Sequence, residues 1–205
     1  MPRVGATTLS MLASVLLLCL LGQGSSFITP LSVRSSVGRR YKTASPLRMG
    51  MEHLQVGSVA PPFSVKDQDG TDVTLESLKG KYVVVYFYPK DNTSGCTKEA
   101  CKFRDLKSEY DARDCVVLGV SADSEDSHSQ FIAEHGLNFN LLADTNKALI
   151  KAYGATKEGQ EDAIQRSTVL VDKEGKVAAV WNPVTAHEAH PVEVLETVGA
   201  LPATP

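Results

Sequence analysis

Two cysteines five residues apart, Cys96 and Cys101, are the residues of this sequence best suited to chemistry. Cys96 follows an apolar run at residues 82–88, which is typical of a strand, and precedes a segment with helical spacing at residues 102–110. A cysteine at this junction falls in the first turn of a helix, where free backbone N–H groups and the helix dipole favour an anion. Because the thiolate is the reactive form of cysteine, the position predicts a thiol-based redox site.

The residues around Cys96 resemble those of a known family. The pattern Pro89-x-x-x-Thr93-x-x-Cys96 matches the peroxiredoxin signature, and the spacing to Cys101 is similar to the peroxiredoxin Q or bacterioferritin-comigratory-protein subgroup. The resemblance extends from about residue 56 to about residue 198. It implies an α/β domain with a thioredoxin-like fold, in which a central mixed β-sheet is flanked by helices.

The resemblance implies a role for each residue beside the thiol. Cys96 would attack a hydroperoxide and become a sulfenic acid, the first and reversible product of thiol oxidation. Thr93 would hydrogen-bond the peroxide and the thiolate, and Pro89 would shield the pocket from water. Judged from the residues alone, Thr93 fits an ordinary turn or helix-capping position equally well.

Two charged residues are further candidates for the site. The resemblance includes Arg166, which would stabilise the thiolate and bind the substrate's oxygens, since a guanidinium stays charged and offers several donors. Its position at the start of an apolar strand would otherwise predict a surface residue. Glu99 is a candidate to orient an arginine near the site, and a solvated helical carboxylate is the alternative.

The spacing of Cys96 and Cys101 restricts how they could react with each other. On an intact α-helix, residues five apart have Cα atoms about 8.6 Å apart. A disulfide needs Cα atoms within about 7 Å, so the two cysteines cannot bond while both stay helical. If Cys101 resolves the sulfenic acid, the first turns of the helix must unwind in each cycle. The alternative is a passive Cys101 on the helix surface.

These residues predict a thiol peroxidase that acts on hydrogen peroxide or organic hydroperoxides. In the first hypothesis, Cys96 and Cys101 form an intramolecular disulfide, which thioredoxin or a related dithiol protein reduces by thiol exchange. In a one-cysteine alternative, an external thiol such as glutathione attacks the sulfenic acid. A peroxide-responsive redox sensor is the alternative from another class, and it predicts stoichiometric oxidation without turnover. No metal, haem or flavin cofactor is implied.

The elements that position these residues follow from the apolar pattern. Strands alternate with helices and hairpins occur at two places, which predicts an α/β sandwich with a mixed sheet. The predicted strands and hairpins lie at residues 63–75, 82–88, 115–120, 140–143 and 166–181. The predicted helices follow Cys96 to residue 110, end at Gly136, and span residues 147–153 and 191–198.

The first 50 residues differ in composition from the rest. A nearly apolar stretch at residues 9–21 follows Arg3 and predicts a signal peptide over residues 1–26. Residues 27–50 contain basic and serine residues but no acidic residue, which is typical of a transit peptide. Such a bipartite leader resembles those of algae with secondary plastids and predicts a plastid location. A secreted protein with a basic arm is the alternative.

The predicted domain, residues 51–205, has an acidic balance. Six of the 21 basic residues and none of the 24 acidic residues precede it, which leaves a net charge of −9. This charge disfavours binding to nucleic acid or to anionic membranes. A cysteine pair within one chain needs no resolving cysteine from a partner, so we expect a monomer.

The remaining cysteine and the histidines have simpler explanations. Cys115 begins an apolar run and is predicted to be a small buried residue. His187 and His190 lie three apart without an evident third ligand, which predicts a solvated loop rather than a metal site. His128 and His135 are predicted to be exposed residues of a helix.

Overall fold

The computed structural model of the chain describes residues 51–201. The predicted signal peptide (residues 1–26), the predicted transit segment (residues 27–50) and the last four residues of the predicted domain lie outside the described residues. Within the described part of the chain, no helix has the length and apolar character needed to cross a membrane.

The described elements alternate between strands and helices. In chain order, the strands are β1 (Ser64–Lys66), β2 (Asp72–Thr74), β3 (Tyr82–Phe87), β4 (Cys115–Ser121), β5 (Asn140–Ala143), β6 (Thr156–Lys157), β7 (Gln160–Ile164), β8 (Ser167–Val171) and β9 (Val177–Trp181). The helices are α1 (Ser94–Asp105), α2 (Lys107–Asp111), α3 (Glu125–His135), α4 (Ala148–Ala152) and α5 (His190–Ala200), with 3-10 turns at Met51–His53 and Glu76–Leu78.

A five-stranded mixed sheet, in the order β5-β4-β3-β8-β9, forms the centre of the domain. Strand β3 runs parallel to β4 and antiparallel to β8, and β4 runs parallel to β5. Every residue of β3 is buried, which explains why its sequence is apolar without alternation. The prediction of an α/β domain with a mixed central sheet is therefore confirmed.

The side chains of β3 divide the hydrophobic core between the two faces of the sheet, since successive residues of a strand point in opposite directions. Val83, Val85 and Phe87 join the cluster that contains residues of α4. Val84 and Tyr86 join the cluster that contains α1 and α5, where Tyr86 stacks on Phe103 with ring centroids 4.7 Å apart. Helix α1 is thus packed against the strand that precedes it.

Two features differ from the predicted elements. The helical segment after Cys96 is divided at Leu106, whose φ of −95° and ψ of 1° separate α1 from α2. A hairpin of β6 and β7 was not predicted, because Gln160, Glu161 and Asp162 of β7 are exposed and give no apolar pattern. Its turn depends on Gly159, which has a φ of 71°.

Candidate active site

Cys96 is the third residue of α1 and is almost completely buried. Thr93 lies at the N-cap with extended backbone angles, and its carbonyl accepts the Thr97 N–H at 2.9 Å. The N–H groups before Thr97 have no partner inside the helix, and they carry the positive end of the helix dipole. The thiol therefore lies where the backbone favours an anion, as predicted from the sequence.

Arg166 contacts the Cys96 sulfur directly. The pairing of Phe87 with Ser167 places Arg166 beside the end of β3, next to α1. Its Nη2 donates to Cys96 Sγ at 2.8 Å, and its Nη1 donates to the Glu99 carboxylate. Burial opposes the charged form, but Glu99 and Cys96 together raise the pKa of Arg166 above its usual value. The guanidinium is therefore a fixed positive charge beside the thiol.

Glu99 lies one helical turn after Cys96 and is fully buried. The alternative prediction of a solvated carboxylate is therefore wrong, because this face of α1 packs on the sheet. Burial raises the pKa of the Glu99 carboxyl from its usual 4.5 to about 7, and the Arg166 guanidinium opposes that rise. Its Oε1 has no hydrogen-bond partner among residues 51–201. Glu99 thus bonds Arg166 through one carboxyl oxygen, while its other oxygen accepts no hydrogen bond within the described residues.

Pro89 and Thr93 lie on the loop between β3 and α1, and both are exposed. The Thr93 hydroxyl donates to the carbonyl of Lys90 at 3.1 Å, and it makes no capping hydrogen bond to α1. A hydrogen bond donated to the thiolate, one part of the role that the resemblance implies for Thr93, would require this hydroxyl to change partners, whereas its oxygen is free to accept one from a peroxide O–H. Pro89 follows β3 directly and begins the loop that leads to the thiol.

Cys101 lies on the same intact helix as Cys96 and is half-buried, and both thiols are free. It lines an open recess of about 450 Å³ together with Lys98, Lys102 and Glu188. With α1 helical from Ser94 to Asp105, the two sulfurs cannot bond in this conformation. The structure therefore shows the reduced form, in which Cys96 and Cys101 are both free thiols.

The loop between β3 and α1 is fixed by a buried carboxylate that was not predicted as part of the site. Asp91 accepts hydrogen bonds from Tyr88 Oη and Ser127 Oγ at 2.7 Å each, and from His128 Nδ1 at 2.9 Å. Its backbone N–H donates to Asp123 Oδ2 at 2.9 Å. Burial opposes ionisation, but the bonds from His128, Ser127 and Tyr88 lower the pKa of Asp91. The loop is thereby tied to the start of α3.

The prediction that His128 is exposed is wrong, because its ring is completely buried between Asp91 and the carbonyl of Leu142. His135 is half-buried, and its Nε2 lies 3.0 Å from Asn92 Oδ1. The sequence does contain a pattern that predicts the proximity of Asp91 to the start of α3. Asp91 and the segment before α3 follow two parallel strands, whose carboxyl ends meet at one edge of a sheet.

The solvated loop predicted for the other two histidines is wrong for His190. His190 begins α5 and is buried, with its Nε2 2.8 Å from Thr168 Oγ1. Burial lowers the pKa of His190 to about 4. His187 is half-buried against Gly95 of α1. Between residues 51 and 201, no group of three or more His, Cys, Asp or Glu side chains could hold a metal ion.

Cys115 is buried at the start of β4, as predicted. Burial raises the pKa of its thiol to about 12. Since a thiol with this pKa remains protonated at neutral pH, Cys115 is unsuited to nucleophilic chemistry.

Comparisons with known proteins agree with this geometry. The sequence profile of the AhpC/TSA family matches residues 56–180. Peroxiredoxin Bcp of Bacillus subtilis (strain 168) is 42% identical over 150 residues, which cover 71% of this chain and 95% of that protein. The chain belongs to the peroxiredoxin family. Chloroplastic peroxiredoxin Q of Sedum lineare is 40% identical to this peroxiredoxin over 160 residues, which cover 77% of the chain and 86% of the relative.

Solved structures extend the similarity to the fold. A structure of Xanthomonas campestris peroxiredoxin Q has a TM-score of 0.64 and 38% identity, and covers 67% of this peroxiredoxin and 90% of that chain. Peroxidoxin BcpB of Mycobacterium tuberculosis has a TM-score of 0.69 and 30% identity, with coverages of 74% and 100%. The predicted thioredoxin-like fold and the resemblance to the Q and Bcp proteins are confirmed.

Proposed function

We propose that this peroxiredoxin is a two-cysteine peroxidase that reduces hydrogen peroxide and organic hydroperoxides. The observation that carries the proposal is the 2.8 Å contact between Arg166 Nη2 and Cys96 Sγ at a helix N-terminus. It places a fixed cation on the sulfur that would react. Xanthomonas campestris bacterioferritin comigratory protein, whose structure has a TM-score of 0.66 and 34% identity to this chain, is described as having alkyl peroxide reduction activity.

In the first step, the Cys96 thiolate attacks one peroxide oxygen. An S–O bond forms and the O–O bond breaks, and the electron pair leaves with the second oxygen, which takes up a proton to become water or an alcohol. The sulfur is thereby oxidised to a sulfenic acid. Arg166 stabilises the thiolate and the charge that develops on the leaving oxygen, and Glu99 holds the guanidinium in place.

In the second step, the Cys101 thiol attacks the Cys96 sulfenic acid, an S–S bond forms and water leaves. The first turns of α1 must unwind before this can happen, because the two residues are five apart on one helix. The start of α1 is suited to unwinding, since its N-cap side chain makes no hydrogen bond to the helix. Such a bond typically stabilises a helix by about 1 kcal/mol.

In the third step, thioredoxin or a related dithiol protein reduces the disulfide by thiol exchange. The exposed side of Cys101 at the open recess supports access for such a reductant. A resolving cysteine within the chain makes a monomer sufficient for the cycle.

We also propose a plastid location from the predicted bipartite leader, with secretion as the alternative. Relatives from Sedum lineare and Triticum aestivum are named chloroplastic, whereas other relatives come from bacteria. Fusing residues 1–50 to a fluorescent protein in an alga with secondary plastids tests the proposal. Fluorescence in the secretory pathway or the medium, without plastid signal, would reject it.

The proposed cycle is tested by peroxide-dependent NADPH oxidation with thioredoxin and thioredoxin reductase. We expect sustained turnover that is lost in Cys96→Ser and Cys101→Ser and kept in the control Cys115→Ser. Turnover that survives in Cys101→Ser with glutathione but not with thioredoxin would support the one-cysteine mechanism. One stoichiometric oxidation of the parent, with every thiol reductant failing to support turnover, would support a sensor instead.

A further inference from the structure

The loop between β9 and α5 crosses the first turn of α1 beside the thiol. If Gly95 carried a β-carbon, that atom would lie 3.0 Å from His187 Cε1, 3.1 Å from Nδ1 and 3.4 Å from Nε2. Ordinary carbon contacts are longer, at about 3.5–4.0 Å. The imidazole of His187 therefore lies directly on the backbone of the residue that precedes Cys96.

This contact is made at a glycine inside the helix. Gly95 belongs to α1, and its φ is not among the positive values that only glycine adopts readily. Alanine would be the better helix former at such a position. The backbone does not require glycine, but a side chain at residue 95 would have to displace the His187 ring.

The loop between β9 and α5 also contacts Arg166 and helix α1, the two parts of the structure that surround Cys96. The Val184 N–H donates to the carbonyl of Arg166 at 2.9 Å, and Glu188 forms an exposed ion pair with Lys98 of α1 at 3.4 Å. Burial lowers the pKa of His187, and the charges of Arg166 and Lys98 lower it further while Glu188 opposes them. A neutral ring can lie near the guanidinium without repulsion.

We propose that His187 is a positioning residue that holds the first turn of α1 closed and thereby limits how fast Cys101 reaches Cys96. The proposal rests on the two-cysteine cycle described above. When α1 unwinds, Gly95 must leave the imidazole, so the contact is lost before the disulfide can form. Removing the ring therefore lowers the cost of unwinding.

The contact between His187 and Gly95, which we call the clamp, affects which of two reactions the Cys96 sulfenic acid undergoes. In one, Cys101 attacks it, an S–S bond forms and water leaves. In the other, the sulfenate attacks a second peroxide molecule, an O–O bond breaks, and the sulfur becomes a sulfinic acid with release of water or alcohol. Slow unwinding favours the second fate. The His187 contact therefore makes the protein more sensitive to excess peroxide.

The test compares His187→Ala with the control Glu188→Gln, which breaks the neighbouring exposed ion pair with Lys98 but keeps the His187 ring. In the reduced protein, we expect amide hydrogen exchange at residues 97–99, whose N–H groups make the first helical hydrogen bonds of α1, to rise at least about threefold in His187→Ala, because the open population grows. Rapid-quench alkylation should show faster disulfide formation, and less sulfinic acid at a fixed excess of peroxide. Glu188→Gln should change each quantity less than about twofold.

A second variant separates the clamp from a general loss of stability. In the parent, Gly95→Ala pushes the ring away and should raise the exchange of the first turn. In His187→Ala, the same change adds a better helix former and should lower it. Opposite signs support the proposal, and equal effects in the two backgrounds overturn it.

The outcomes also separate this proposal from the two-cysteine cycle. Faster exchange in His187→Ala supports the clamp even if the parent forms no Cys96–Cys101 disulfide, and the cycle alone would then be rejected. Unchanged exchange in His187→Ala overturns the clamp. Where the parent does form the disulfide, faster exchange with an unchanged rate of disulfide formation overturns the proposal as well, because the contact would not limit the approach of Cys101.

Discussion

At the residue scale, Cys96 lies in a buried cluster with two charged residues from different parts of the chain. Glu99 comes from the same helix, whereas Arg166 is 70 residues away in sequence and reaches the sulfur through the pairing of β3 with β8. The guanidinium divides its donors between the thiol and the carboxylate. In the proposed cycle, this single positive charge would stabilise the Cys96 thiolate, and Glu99 would orient the guanidinium.

Replacing Arg166 with lysine tests this division. Lysine keeps the charge but lacks the planar fork that bonds Cys96 and Glu99 together, so we expect the rate constant for peroxide reaction to fall roughly 10²-fold. Stopped-flow oxidation of the reduced protein measures it. The control is Arg113→Lys, which lies outside the site. A rate within about threefold of the parent would show that charge alone is sufficient.

Glu99 gives a prediction about stability and pH. Its folded pKa of about 7 lies above the usual 4.5, so the folded state holds a proton that the unfolded state releases. That contribution is complete below pH 4.5 and is lost as the pH rises towards 7. Relative to the parent, Glu99→Gln should therefore gain up to about 3 kcal/mol in unfolding free energy between pH 5 and pH 8. Urea titrations at several pH values measure it, and a constant difference between the two proteins would contradict the raised pKa.

At the element scale, α3 fixes the loop that carries Pro89 and Thr93. Asp91 of this loop bonds Ser127 and His128 of α3. The strands on either side were predicted correctly because their apolar runs are long. The polar sequence of α3 instead predicted exposure of His128, since the partner that buries it lies 37 residues earlier in the chain. The pattern of residues within α3 cannot predict a contact with a residue so distant in the sequence.

Removing the His128 ring should destabilise the whole domain. His128→Ala leaves the Asp91 carboxylate buried without its main partner, and we expect the unfolding free energy to fall by about 3 kcal/mol. Ser127→Ala removes a neutral donor from the same carboxylate and should cost only about 1 kcal/mol. Urea unfolding compares the two variants. Equal losses would show that the histidine contributes no more than an ordinary hydrogen bond.

At the scale of the whole molecule, the site is assembled by the order of the strands in the sheet. The parallel pair β3 and β4 directs Asp91 and Asp123 to one edge, and the start of the antiparallel β8 brings Arg166 to the same end of β3. The motif around Cys96 was sufficient to predict the family. The loop that carries His187 was not predicted to approach α1, because its contact with Gly95 depends on how β9 and α5 pack.

The most direct test of the account is the mass of the peptide that contains residues 96–101 after one equivalent of peroxide. Denatured, alkylated and digested protein should yield this peptide unalkylated and lighter by two hydrogens, because Cys96 and Cys101 have formed a disulfide. Reduction with thioredoxin should restore alkylation at both residues. A peptide that carries one added oxygen on Cys96, with Cys101 alkylated, would contradict the two-cysteine mechanism.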